Sequence, residues 1–153
     1  MSTMLRFAGT VHPPHADCCA HEADLTTAEM DCLDLGHGSG GKVTPLLIEH
    51  RGDPVGVCDS SWLGSRGELR VAGRILDPET QKQVRTGNLH GLSLGISVLK
   101  RLGATTGAAS APPMRSVLEL SLCAEPARAG CYISALDGVL LPKRGVRAAH
   151  ACV

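Results

Sequence analysis

The stretch GNLHGLSLGISVL, residues 87–99, reads as a β-strand built around a serine. Leu92, Leu94, Ile96 and Val98 fall on one face of an extended chain, and Ser93, Gly95 and Ser97 fall on the other. Glycines two residues either side of Ser93 leave two explanations for the polar face. It looks at water, or it presents a nucleophile that a substrate backbone approaches closely.

Outward from this stretch the pattern repeats. Strands are expected at 5–11 (LRFAGTV), 43–50 (VTPLLIEH), 54–61 (PVGVCDSS), 67–75 (GELRVAGRI), 115–123 (RSVLELSLC) and 130–136 (GCYISAL). Two short helices are expected. Thr26 and Glu29 have capping-box spacing, with Gly36 as a stop. Asp77 suits an N-cap, with Pro78 at the first helical position and Gly87 past the end. Six or seven short strands with few helices predict a mainly β fold with some α, a small closed β-barrel with helices packed outside it. No internal repeat is visible.

The 153 residues suit one domain, 1–153, with a weakly patterned tail from 135 to 153. Hydrophobic residues make up 43% of the chain, yet it holds one Phe, one Trp and one Tyr, so the core has to be aliphatic. Fifteen basic residues balance fifteen acidic ones, which gives no electrostatic footprint for nucleic acid. No apolar run reaches membrane-spanning length, and the apolar part of MSTMLRFAGTV is short for a secretory signal. Seven cysteines at irregular spacing imply free thiols in a reducing compartment.

Three strands carry residues able to act together. His50 closes PLLIEH, Ser93 projects from its own strand, and Glu119 shares a face with Val117, Ser121 and Cys123 in VLELSLC. A serine needs a proton acceptor within reach, and that acceptor's second ring nitrogen needs a fixed partner. Each residue alone has a plain structural reading: a surface histidine, a solvated serine, an exposed glutamate. Spacing in sequence does not show that they converge.

The blocks PLLIEHRGDPVG, GELRVAGRI, GLSLGISV and LELSLCAEPARAG, in that order, resemble the capsid maturation proteases, the herpesvirus assemblins and phage prohead proteases. The resemblance covers residues 43–134. It implies an assemblin-like barrel ringed by helices and a serine endopeptidase that cleaves capsid scaffold protein and its own precursor. By motif, Ser93 would be the nucleophile, His50 the general base and Glu119 the orienting group. Herpesvirus enzymes have a histidine in the third position, and the phage branch commonly has an acid. His90 or His150 could serve instead, though neither lies in the matching block. Ala127 and Arg128 match the oxyanion-hole pair, with Ala127 contributing a backbone N–H and Arg128 holding a water or the developing charge. Gly91 and Gly95 would clear room for a substrate strand. The resemblance further implies a weakly associating homodimer, no cofactor and no membrane partner. It places the protein in an assembling viral capsid, in the host nucleus for a herpesvirus-like source or the host cytoplasm for a phage-like one. Ala148, Ala149 and Ala151 would suit a release site cut after a small residue.

Other readings compete. His12, His15, Cys18, Cys19 and His21 offer zinc-ligand types, but their spacing matches no closed site, so no metal is expected and a zinc-binding adaptor is a third choice. Cys123 is conceivable as a nucleophile beside His50, though a buried inert thiol is the plainer reading. GHGSGGK (36–42) lacks the ending and glycine spacing of a phosphate loop. The alternative from another class is an inert barrel associated with capsid or scaffold.

Overall fold

The computed structural model describes residues 4–14, 25, 43–96, 117–126, 128 and 130–142. The elements run β1 (Leu5–His12), β2 (Thr44–Ile48), β3 (Arg51–Leu63), β4 (Leu69–Ile75), α1 (Pro78–Arg85), β5 (Gly91–Ile96), β6 (Val117–Cys123), β7 (Ile133–Leu136) and β8 (Val139–Leu140). The strands form one sheet in the order β5-β6-β2-β3-β4-β1-β7-β8, antiparallel except where β2 lies parallel to β6.

The sheet curls until its β5 end meets residues that precede β7. Leu92 N–H donates to the Cys131 carbonyl (2.9 Å), and Ile133 N–H donates to that of His90 (2.9 Å). Thr10 N–H of β1 reaches the Tyr132 carbonyl at 3.1 Å. The mainly β, barrel-like architecture expected from the strand pattern is thus the observed one. Among the described residues one helix accompanies it. The helix expected from Thr26 falls outside the described residues, as do the GHGSGGK segment up to Lys42 and residues 143–153.

Alternation explains which face closes inward. In β4 the buried positions are Leu69, Val71, Gly73 and Ile75, every second residue. Leu5, Phe7 and Val11 from β1, Leu46 from β2, Leu92 and Leu94 from β5, and Leu120 and Leu122 from β6 complete the core with Ile133. Each such side chain contributes about 1.5–3 kcal/mol on burial. Phe7, the only phenylalanine, packs where Gly73 leaves space: a methyl there would meet its ring at 2.8 Å. Trp62 stays 43% exposed, so the core is aliphatic as the composition requires. Leu118 is 60% exposed, although it shares the strand face of Leu120 and Leu122.

Helix α1 starts and stops as its sequence predicts. The Asp77 carboxylate accepts from Thr80 N–H (2.9 Å) and from its hydroxyl (2.6 Å), which holds that carboxyl below its ordinary value. Gly87, at φ +84°, follows the end, and Val84 inserts the helix into the core. Residues 135–140, the start of the expected tail, continue the sheet within the β7–β8 hairpin.

Candidate active site

The strand order puts β5, β6 and β2 side by side, and their registers decide what meets. Across β5–β6, Ser93 pairs with Ser121 and Gly95 with Glu119. Across β6–β2, Ser121 pairs with Leu47 and Leu122 with Ile48, which brings the end of β2 beside the last residues of β6.

His50 differs from its sequence expectation in one respect. It does not end a strand: β2 stops at Ile48, which pairs with Arg51, and Glu49 and His50 form the two-residue hairpin turn into β3. Both have positive φ, +51° and +62°, a left-handed conformation unfavourable for residues with a Cβ. The turn is stapled to β6. Glu49 N–H donates to the Leu122 carbonyl (3.0 Å), and the Glu49 carboxylate accepts from Ala124 N–H (2.9 Å).

So held, the imidazole spans two partners. His50 Nε2 lies 3.0 Å from Ser93 Oγ, and Nδ1 is hydrogen-bonded to Glu119 Oε1. An ionised carboxylate only accepts, so Nδ1 carries the proton and Nε2 offers its lone pair to the Ser93 hydroxyl. The His50 side chain is 44% exposed and that of Glu119 only 12%: the imidazole opens to solvent while its partner is screened. Three residues read from separate strands therefore meet in one hydrogen-bonded chain.

The two glycines beside Ser93 have nearer causes than a substrate strand. A methyl at Gly95 would collide with the Glu119 carboxylate, and one at Gly91 would press on Pro126 and the Cys123 sulfur at about 2.8–2.9 Å. Their missing side chains make room for the protein's own atoms, first of all for Glu119.

Of the oxyanion candidates, Ala127 lies outside the described residues. Arg128 is half-buried, and its carbonyl accepts from Cys131 N–H (3.4 Å). His90 is committed elsewhere: its ring stacks on Tyr132 (5.4 Å between centroids) and Nδ1 donates to the Gly87 carbonyl (3.0 Å). His150 lies outside the described residues. Cys123 is 4% exposed, and burial, with the charges of Glu49 and Glu125 adding to it, pushes its thiol up to about 12, so it is not a thiolate near neutrality. His12 is buried, with Nδ1 on the Pro13 carbonyl and Nε2 accepting from Leu25 N–H; His15, Cys18, Cys19 and His21 lie outside the described residues. A cavity of about 410 Å³ between the end of α1 and β7, lined by Val84, Leu89, His90, Ile133 and Leu141 among others, does not include Ser93, His50 or Glu119.

Sequence reasoning missed Ser121. Its fully buried hydroxyl accepts from His50 N–H at 2.9 Å and donates to Glu119 Oε2 at 2.7 Å. The only signal was its place on the Glu119 face of the strand. Glu49 was missed too, because neither it nor His50 is a turn-forming residue type and the Gly-Asp-Pro signal falls beyond them, at 52–54.

No family model and no curated protein sequence matches the chain. Solved structures do. The protease of Kaposi's sarcoma-associated herpesvirus bound to a hexapeptide phosphonate inhibitor superposes with a TM-score of 0.58 at 20% identity, covering 85% of this chain and 64% of that one. The chain has the fold of the herpesvirus protease. A second structure of that protease gives 0.52 at 21% identity, over 86% of this chain and 60% of the other. A third, holding a dimer disruptor, gives 0.50 at 20%, over 84% and 74%. This chain thus spans less than two thirds of the first two herpesvirus protease chains.

Proposed function

We propose that this protein is a capsid-maturation serine endopeptidase, a single domain over residues 1–153, that cleaves scaffold protein and its own precursor. The observation that carries the reading is the unbroken hydrogen-bonded chain Ser93–His50–Glu119 within a herpesvirus-protease fold. In it, Ser93 Oγ attacks the scissile carbonyl as its proton passes to His50 Nε2. Glu119, already hydrogen-bonded to Nδ1, stabilises the imidazolium that forms and keeps the ring in the productive tautomer. The same proton then goes to the leaving amine, and water repeats the sequence on the acyl-enzyme. Donors in the Ala127–Arg128 segment hold the oxyanion.

The substrate is a scaffold protein cut after a small residue, and the setting is an assembling capsid. The protein acts as a homodimer, a reading supported by the dimer disruptor bound to the similar herpesvirus protease. The test is cleavage of a peptide library at high protein concentration. Cuts after alanine or another small residue, absent in Ser93→Ala, support the proposal. A folded protein that cuts nothing, at any concentration, returns the chain to the inert barrel class.

A further inference from the structure

We infer that Ser121 is a positioning residue for this site, one hydroxyl that sets both the base and the group orienting it; the inference rests on the protease reading above. Ser121 sits in β6, opposite Ser93 in the β5–β6 register and beside Leu47 of β2. Its side chain is fully buried, where an unpaired hydroxyl is costly. Both of its functions are used, and the direction of each bond is forced. A backbone N–H only donates, so the His50 N–H at 2.9 Å takes a lone pair of Oγ. An ionised carboxylate only accepts, so the hydroxyl proton goes to Glu119 Oε2 at 2.7 Å.

The consequences fall on two torsions. With Oε2 tied to Ser121, the Glu119 carboxylate cannot spin freely, and Oε1 is left facing His50 Nδ1. His50 stands at φ +62°, a conformation that persists only where the surroundings hold it, and the Ser121 oxygen receives the backbone N–H of that very residue. An alanine here would fit but would leave the His50 N–H without its acceptor and the carboxylate without its second tether. Ser121 touches no reacting atom, so its effect is read through its neighbours.

The test compares wild type with Ser121→Ala, Ser121→Thr and Ser121→Cys. Three readouts are taken: the rate of fluorophosphonate labelling at Ser93, the low-field proton resonance of His50 Nδ1–H, and the thermal melt. Ser121→Ala is expected to label 10- to 100-fold more slowly per folded molecule and to lose or broaden the low-field resonance. Ser121→Thr, which keeps the hydroxyl, restores most of both. If the alanine variant does not fold, Ser121→Cys, a weak donor of similar size, is expected to fall between. A folded Ser121→Ala, or Ser121→Cys in its place, with wild-type labelling rate and unchanged resonance overturns the inference, even if it melts earlier. Wild type that shows the resonance but never labels sinks the protease reading alone; dependence of the resonance on Ser121 still decides this one.

Discussion

Two hairpins of this sheet turn in the same way and are written in different residues. Between β7 and β8, Asp137 and Gly138 bridge Leu136 and Val139 at φ +48° and +81°. Between β2 and β3, Glu49 and His50 bridge Ile48 and Arg51 at φ +51° and +62°. Asp-Gly is a pair that tolerates this geometry at little cost. Glu-His is not: each residue with a Cβ costs about 1–2 kcal/mol in the left-handed region. The first turn is fastened at its aspartate, which exchanges hydrogen bonds with the Arg6 backbone and lies 3.5 Å from the Arg85 guanidinium. The second is fastened at both residues, through Leu122, Ala124, Ser121 and Glu119. Strain that a glycine would remove is retained where a histidine has to face a serine.

Exchanging the turns breaks the comparison most sharply. Replacing Glu49 and His50 together by Asn and Gly is expected to abolish activity while leaving the unfolding free energy within about 1 kcal/mol of wild type, because relieved strain offsets the lost anchors. The reverse exchange, Asp137→Glu with Gly138→His, is expected to destabilise by about 1–3 kcal/mol and to leave activity per folded molecule unchanged. Paired denaturation and peptide-cleavage assays decide both. A stable, active protein from the first exchange would show that the Glu49–His50 turn has no part in catalysis.

A smaller effect is expected at Gly95. A methyl there meets the Glu119 carboxylate and must push it from His50, so Gly95→Ala is expected to lower kcat about 10- to 100-fold with little change in KM. Steady-state kinetics check this. A variant with wild-type kcat would mean that the carboxylate has room to yield without losing its hold on His50.

The positions of the strands along the chain and the aliphatic core were legible in the sequence because alternation and Gly, Pro and Asp punctuation are local. Ser93, Glu119 and His50 were legible as residue types able to act together, and their ordered blocks, not their spacing, joined them into one set. Ser121 and Glu49 were not legible, because their roles depend on partners 71 and 75 residues away, fixed by the parallel register of β2 and β6. Gly95 was visible as a small residue, but its cause lies across the strand pair, in a carboxylate that local pattern does not place. The turn at Glu49–His50 was read as strand because neither residue carries the turn signature that Asp137–Gly138 does.

The smallest effect expected is alkaline and distant from the chemistry. Burial, ahead of the neighbouring acidic charges, pushes the Cys58 and Cys123 thiols up from 9.0 to about 12. The unfolded chain therefore ionises these thiols first. Their contribution to stability is complete below pH 9 and is lost as pH rises from 9 toward 12. Melts between pH 7 and 10.5 are expected to show this decline, reduced in Cys58→Ala relative to its own value at pH 7. Equal alkaline slopes for the two proteins would contradict it.

The most direct measurement is intact mass and peptide mapping after fluorophosphonate treatment at high protein concentration. The account predicts a single adduct on Ser93, abolished by His50→Ala and slowed about 10³-fold or more by Glu119→Gln, which keeps the shape but loses the charge that fixes the tautomer. No adduct on a folded, dimeric protein, or an adduct at another residue, would contradict it.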